Sequence, residues 1–305
     1  MAYIMRPKSA LNQNMTKVII MCDIRFYFGV ILAGLITSTQ AMPVLPDFDV
    51  DNFDPNASIN NPYFPILDFS NTYVYEGEFE EEGEIVTEGF SLTNINMGPM
   101  VLGVQTTTQL DRSYEDGVLV EETHDYYAQD VHGNVWYMGE DVKNFIYDDN
   151  GNLIETNNEG AWLAGVNGAL PGYIMPVDLT VDFEYFQEFA ENDEALDVGR
   201  IFATGELISL EIGEFHNVLR TLETNPFFEP DSREFKYYVP GLGLILIEEG
   251  LNEALEDPEL VVELVDIVTV PEPPSVILLS FGLMGLLLFK LKKTDQGYLI
   301  CKLPR

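Results

Sequence analysis

The residue types that most often carry catalysis or bind metals are few in this chain of 305 residues. Its three histidines are His124, His132 and His216, and neither interval between them matches the spacing of a zinc site. We expect His124 to lie within a strand and His132 within a turn, so the two rings should not be cross-strand neighbours. A hydrogen-bonded or solvent-exposed histidine is therefore a better interpretation than a metal ligand.

Motifs for nucleophilic catalysis and phosphate binding are missing as well. The sequence has no Gly-x-Ser-x-Gly element, and Gly241 and Gly243 lack the remainder of a phosphate-binding loop. Cys22 and Cys301 lie near the two ends, so residues 42–270 contain no disulfide, no thiolate metal site and no nucleophilic cysteine. We therefore expect a protein that is not an enzyme and that holds neither a cofactor nor a metal.

Acidic residues are the remaining source of chemistry, and the segment DDNGN at residues 148–152 invites comparison with a calcium loop. Such a loop has glycine at its sixth position and a carboxylate at its first, whereas the first position here would be Ile146. We interpret the segment as a hairpin turn. Carboxylate pairs of the kind used in glycoside hydrolysis arise by chance in so acidic a sequence, so they give no evidence for a secreted hydrolase.

Aromatic residues at strand spacing are candidates for a binding surface. They could line a concavity for a sugar or a lipid, although core packing is their usual role in strands. The residues concerned are Tyr73, Tyr75, Tyr126, Tyr127, Phe183, Tyr185 and Phe186.

The elements that must position these side chains are short strands punctuated by Gly, Asn and Asp. We predict strands over residues 72–78, 100–110, 119–129, 135–138, 144–147, 153–156, 181–189, 198–211, 217–224, 233–239 and 242–248, with turns at 115–117, 130–134 and 148–152. Helices should be few and short, near residues 191–196 or 251–255. The pattern predicts a mainly β fold, an antiparallel meander that forms a curved sheet, an open barrel or a sandwich.

The charge of the chain is concentrated in its middle. Residues 42–270 carry 48 acidic and 6 basic side chains, a net charge of −42, within a whole chain of net charge −36. Such a domain would repel nucleic acid and an anionic bilayer surface, which excludes both as partners of the middle region. A solvated surface is the simplest interpretation of the acidity, and binding of divalent cations or adaptation to salt are the alternatives.

The N-terminal region has the features of a secretory signal peptide. Arg25 precedes an apolar run over residues 26–36, and small residues follow it. Thr39 and Ala41 would occupy the two positions that signal peptidase reads, with cleavage before Met42. The apolar run is shorter than the roughly 20 residues that a transmembrane helix needs.

The C-terminal region contains an uncharged apolar stretch of fourteen residues, 276–289, followed by Lys290, Lys292 and Lys293. A helix of this length spans about 21 Å, which is short of a bilayer core, but flanking residues can add turns and the lysines can snorkel. We predict one transmembrane helix here, with the lysines as a cytoplasmic stop and the acidic domain outside.

Val270, Pro271, Glu272 and Pro273 precede this apolar span. The order of motif, span and basic cluster resembles the PEP-CTERM sorting signal of bacterial surface proteins. The resemblance implies that an exosortase recognises the Pro-Glu-Pro motif and processes the protein at the membrane. It also implies association with extracellular polysaccharide.

The middle of the chain resembles an uncharacterised family of secreted bacterial proteins, for which no activity can be carried over. The matching stretches are residues 127–130, 133–141, 160–162, 171–176 and 236–243, and we expect Trp136, Trp162, Tyr237 and Tyr238 to fill a sheet face.

These observations predict five regions and an order of functions. The regions are a signal peptide (1–41), an acidic flexible spacer (42–61), an exported β-domain (62–270), a sorting signal with its transmembrane helix (271–293) and a tail (294–305). The leading hypothesis is an exported cell-surface or matrix protein without enzymatic activity. A half-barrel that binds a lipid or another small ligand is the alternative, and a secreted hydrolase ranks last.

Overall fold

The computed structural model describes residues 42–54, 60–81, 83–95, 97–148 and 150–270. Within these residues the chain forms seventeen β-strands and two 3-10 helices of three residues, Val50–Asn52 and Glu191–Asp193. The predicted mainly β class, with few and short helices, is confirmed over this part of the chain. No helix in the described ranges combines the length and the hydrophobicity that crossing a bilayer requires.

The strands are named in chain order. In the first half they are β1 (Asn71–Glu81), β2 (Glu84–Ile95), β3 (Met100–Val101), β4 (Val104–Gln105), β5 (Thr107–Glu115), β6 (Val118–Gln129), β7 (Val135–Tyr147) and β8 (Leu153–Asn157). In the second half they are β9 (Trp162–Leu163), β10 (Leu170–Met175), β11 (Glu184–Phe186), β12 (Glu188–Phe189), β13 (Val198–Leu210), β14 (Gly213–Asn225), β15 (Glu229–Val239), β16 (Gly243–Glu249) and β17 (Leu260–Thr269).

Fifteen strands form one antiparallel sheet, in which most neighbours along the chain are also neighbours in space. The order is β11-β13-β14-β15-β16-β17-β1-β2-β5-β6-β7-β10-β12, with β8 and β9 paired to β7, while β3 and β4 form a separate hairpin. The two ends of this order, β11 and β12, are separated along the chain by Gln187 alone, and β10 contacts both. The sheet therefore curls into a nearly closed, barrel-like shape, and the predicted antiparallel meander is confirmed.

Local turn chemistry sets two of the hairpins. Asp116 and Gly117 both have positive φ angles, 48° and 77°, which is typical of the two-residue turn that matches strand twist. In the β7–β8 turn, the Asp148 carboxylate accepts hydrogen bonds from the backbone N–H groups of Asn150 (2.9 Å) and Asn152 (2.8 Å). The interpretation of residues 148–152 as a hairpin turn is confirmed.

The place where the two ends of the sheet meet, between β10 and β11, depends on a glycine. Gly172 on β10 pairs with Tyr137 on β7, and a Cβ at this glycine would lie 2.2 Å from the backbone oxygen of Phe186. A side chain at position 172 would therefore push β10 away from β11. The missing side chain is what lets the two ends of the sheet approach each other.

Several elements differ from the sequence-based predictions. Strands β2 and β17 and the short β10 were not predicted, and β7 is a single strand where two segments were predicted. A register shift at Met138 interrupts the alternation of β7, which explains why its two halves read as separate segments. Residues 251–255 form turns instead of a helix, and 181–189 contain two short strands instead of one long strand.

The segment at residues 42–54 packs against the barrel. The rings of Phe48 and Phe53 lie 5.5 and 5.9 Å from that of Trp136, and Val44 forms a parallel β-bridge with Tyr185. This arrangement differs from the flexible spacer predicted for residues 42–61. Apolar residues at intervals in an acidic, proline-containing stretch anchor it to the barrel.

The predicted signal peptide and most of the predicted C-terminal sorting signal lie outside the described residues. They are the signal peptide with Thr39 and Ala41, the motif residues Pro271, Glu272 and Pro273, the apolar span 276–289 and the basic stop Lys290, Lys292 and Lys293. Val270 is described, and its N–H donates to the carbonyl oxygen of Ser70 at 2.8 Å. The chain therefore leaves the barrel beside the start of β1.

Candidate functional site

A cavity of about 60 Å³ lies inside the barrel. Its walls are mainly aromatic and aliphatic, and the side chains of Asp111, Asp125 and Lys236 also line it. The other lining residues are Phe64, Pro65, Ile66, Tyr73, Tyr75, Leu92, Asn94, Gln109, Tyr127, Ile174, Tyr238, Leu242, Gly243 and Leu244. A mostly apolar concavity with a few polar groups is typical of a small-molecule site, although this one is small.

The register of β5 and β6 brings the two aspartates onto the same inner face. Asp111 lies opposite Thr123, and Asp125 lies opposite Gln109, so the aspartates are diagonal neighbours on adjacent strands. Diagonal neighbours on one face of a sheet are roughly 7–8 Å apart, within reach of a group bound between them. Tyr127 follows Asp125 on the same face because side chains alternate along a strand.

Asp111 is the least satisfied polar group of the cavity. Its side chain is 3% exposed, and its Oδ1 atom has no hydrogen-bond partner among the residues that the structure describes. Burial raises the pKa of Asp111 well above its ordinary value, and the carboxylates of Asp125 and Glu121 raise it further. A buried carboxyl oxygen without a partner is uncommon, so Asp111 is the polar residue of the cavity whose burial most needs an explanation.

Asp125 belongs to a hydrogen-bonded pair of carboxyl groups. The Tyr137 hydroxyl lies 2.6 Å from Asp125 Oδ1 and 2.9 Å from Glu140 Oε2, and all three residues are buried. Burial raises the pKa of Asp125, and it raises the pKa of Glu140 to about 8. Glu140 is therefore largely protonated at neutral pH. Its carboxyl group can then act as a hydrogen-bond donor, and the repulsion that two buried carboxylates would have is avoided.

Lys236 forms salt bridges with two glutamates that do not line the cavity. Its ammonium lies 2.6 Å from Glu223 Oε2 and 2.9 Å from Glu234 Oε1. Burial alone would lower the pKa of Lys236, but the two glutamates raise it well above its ordinary value. Burial raises the pKa of Glu223, yet Lys236 outweighs burial and the pKa lies below its ordinary value. The lysine charge is therefore already balanced before any ligand enters.

A strap formed by residues 61–68 covers one end of the cavity. The Asn61 side chain donates to the Gly133 carbonyl (2.9 Å) and accepts from the Tyr63 N–H (2.9 Å). Farther along, the Asn94 amide donates to the carbonyl oxygens of Pro65 (3.1 Å) and Asp68 (3.0 Å). The strap is thus tied to the barrel by buried amides at both ends.

The three histidines do not converge. His124 lies on β6 opposite Asp141 and lines a shallow outer groove, while the His132 N–H donates to Asp130 in the β6–β7 turn. His216 Nε2 lies 3.1 Å from Glu214 at the surface. Within the described ranges, no three His, Cys, Asp or Glu residues are arranged to hold a metal ion.

The aromatic candidates divide between core and cavity. Tyr73, Tyr75 and Tyr127 line the cavity, whereas Tyr185 is fully buried in the core and Phe186 packs against Phe189. The remaining two, Tyr126 and Phe183, are partly buried and pack against the core. Core packing is therefore confirmed for these residues, three of which also line the cavity, and a sugar- or lipid-binding role stays a prediction. The expected core aromatics Trp136, Trp162, Tyr237 and Tyr238 are all buried.

Sequence reasoning missed Asp111, Asp125 and Lys236 as site residues. An acidic residue in a strand is normally interpreted as solvent-exposed, and here three acidic side chains on β5, β6 and β7 face inward. The sequence did contain one signal, the two-residue alternation of side chains along a strand. Asp125 stands two residues before Tyr127, and Lys236 two residues before Tyr238, so each charged residue shares a face with an aromatic side chain that favours burial.

No protein-family model matches the chain, and no curated protein matches it. Among solved structures, it is similar to a candidate exported protein with a YmcC-like fold from Bacteroides fragilis NCTC 9343. The identity is 11%, the TM-score is 0.34, and the match covers 65% of this chain and 95% of that one.

A second similar structure is a candidate lipoprotein from Parabacteroides distasonis ATCC 8503. The identity is again 11%, the TM-score is 0.30, and the match covers 69% of this chain and 100% of that one. At these values neither similarity carries an argument about this chain.

Replacing Lys236 with Met should destabilise the domain by about 3–5 kcal/mol at pH 7, because Glu223 and Glu234 would lose their buried partner. Urea unfolding measures this loss. The matched control is Arg112→Met, which breaks a half-exposed pair with Glu122 (2.8 Å) and should cost less than about 1 kcal/mol. Equal losses in the two variants would contradict the assigned role of Lys236.

The stability of the domain should fall as the pH rises from 5 to 9. The pKa of Glu140 is raised to about 8, so the folded state binds more protons than the unfolded state between the ordinary pKa and that value. The free-energy cost of ionising Glu140 in the folded state is absent below the ordinary pKa of the residue and complete above pH 8. Glu140→Gln should therefore lose less stability over this range, by a few kcal/mol, in urea unfolding at each pH. Parallel curves for the two proteins would rule out Glu140 as the titrating group.

Proposed function

We propose that this chain is an exported cell-surface protein whose barrel-like domain binds a small ligand in its interior cavity. The observation that carries the binding role is the unpartnered Oδ1 atom of Asp111, buried in the wall of a cavity. Leaving such an atom without a partner costs free energy, and a bound molecule would remove that cost.

The size of the cavity limits what binds there. A single water needs about 10–15 Å³ by this measure, so about 60 Å³ accommodates a few waters or one end of a small organic molecule. The aromatic and aliphatic walls favour an organic group over a cluster of waters, since apolar surface gains by contact with carbon. The ligand is therefore small, or it inserts only one end past the strap.

The export role is supported by the two ends of the sequence. A signal peptide ending at Ala41 and a tail with Pro271, Glu272 and Pro273, an apolar span and lysines give the same orientation independently. Signal peptidase and exosortase are the processing partners in this proposal, and the membrane is contacted through the C-terminal helix. Extracellular polysaccharide is the proposed surrounding material, and the domain acts by binding and not by catalysis.

Native mass spectrometry of the protein isolated from its host tests the binding role. The folded protein should carry an additional small mass that denaturation releases. Leu244→Trp should abolish it, because the indole would fill the cavity that Leu244 lines. Leu153→Trp, at a site 51% exposed on β8, is the matched control and should retain the mass. A folded wild-type protein with the mass of the polypeptide alone would count against a ligand.

The intact mass and cellular fraction of the mature protein test the export role. In a host with exosortase, we expect loss of residues 1–41 and of the C-terminal span, with release from the membrane. Without exosortase, the span should persist and the protein should stay in the membrane fraction. A mass that includes residues 276–305 in both hosts would show that the Pro-Glu-Pro motif is not a processing signal.

A further inference from the structure

We infer that the cavity binds a primary alkylammonium group, seated between the carboxylates of Asp111 and Asp125. This inference rests on the proposed binding function and names the chemical class of the ligand. It would make the domain a receptor for an amine-bearing molecule, such as a diamine or the end of a lysine side chain.

The charge balance of the cavity favours a cation. Among its Asp and Lys side chains, two are acidic, and the third, Lys236, is already engaged by Glu223 and Glu234 at 2.6 and 2.9 Å. An anion entering the cavity would meet two acidic groups and a lysine whose ammonium is already paired with two glutamates. The net charge of −42 over residues 42–270 would also draw cations toward the domain.

The hydrogen-bonding pattern favours a group that only donates. Asp111 Oδ1 lacks a donor, and an ammonium has three donors and no acceptor. Charge-assisted bonds of this kind are about 2.7–2.9 Å long, so an ammonium between diagonal neighbours can reach both aspartates. Asp125 Oδ1 already accepts from Tyr137, which fixes that carboxyl group in place for a second contact.

The walls favour an organic ammonium over a metal ion. Tyr75 and Tyr127 contribute aromatic rings to the walls, a residue type that attracts cations, and Leu92, Ile174 and Leu244 offer aliphatic contacts for an alkyl chain. A calcium ion would need six to eight oxygen ligands converging on one point, and within the described ranges no three His, Cys, Asp or Glu residues are arranged to hold a metal ion. An alkylammonium satisfies the carboxylates and the apolar walls at the same time.

Binding should be linked to release of protons. Burial raises the pKa values of Asp111 and Asp125, so a cation that needs ionised carboxylates competes with protons. Affinity should therefore rise with pH and fall as the pH drops through those raised values. The ionisable groups near enough to interact electrostatically with Asp111 are Asp125, Glu121, Tyr127, Tyr75 and Lys236.

Calorimetric titration of the domain with n-propylammonium chloride tests the inference, with 1-propanol as the neutral probe of the same heavy-atom count. We expect the ammonium to bind at pH 8 and more weakly at pH 6, and the alcohol to bind at least about tenfold more weakly. Asp111→Asn should weaken the ammonium by about tenfold or more. Asp141→Asn removes one exposed negative charge outside the cavity and should leave the affinity unchanged.

The outcomes separate the inference from the function on which it rests. Equal binding of propylammonium and propanol would overturn the ammonium site while keeping a ligand-binding cavity. Binding of neither probe would overturn both. Tighter binding of calcium chloride than of propylammonium would replace the organic cation by a metal. If Asp111→Asn fails to fold, as judged by circular dichroism, the pH dependence of the wild type decides the inference by itself.

Discussion

The buried Lys236 ammonium is the interaction on which the closed interior depends. Strands β14 and β15 place Glu223 and Glu234 beside it, and Tyr238 shares the same inner face. Without a cation, the buried Glu223 carboxylate would lose its hydration and would lie beside the like charge of the partly exposed Glu234, which would destabilise the curled sheet at neutral pH. With the lysine between them, β13–β16 form a wall that other strands can pack against.

In the opposite wall, buried acidic side chains are neutralised by protonation instead of by a cation. On β5, β6 and β7, Asp111, Asp125 and Glu140 face inward with raised pKa values, and Tyr137 joins two of them. A carboxyl that keeps its proton is a polar neutral group, which burial tolerates when it is hydrogen-bonded. The barrel thus has one wall balanced by an ion pair and another balanced by protons, and the cavity lies where the two meet.

Local features of this fold could be predicted from the sequence, and long-range features could not. Turn residues such as Asp116-Gly117 fix a hairpin through their own backbone preferences, so this hairpin was predicted, although its first strand was expected at residues 100–110 and β5 occupies Thr107–Glu115. The closure at Gly172 and the pairing of β1 with β17 depend on residues far apart in the chain, and no local pattern records them. Asp111 was missed because an acidic residue in a strand is normally exposed, and its burial here follows from the register of two hairpins.

The pairing of β1 with β17 has a consequence for how the domain folds. Most pairs in the sheet join consecutive strands, so hairpins can form early and grow along the meander. The register that places Tyr75 opposite Leu264 instead closes a loop of nearly the whole domain. Such a closure carries a large entropic cost before its contacts form. The hairpins should therefore assemble first as an open ribbon, and the joining of its first and last strands should set the rate at which the native state appears.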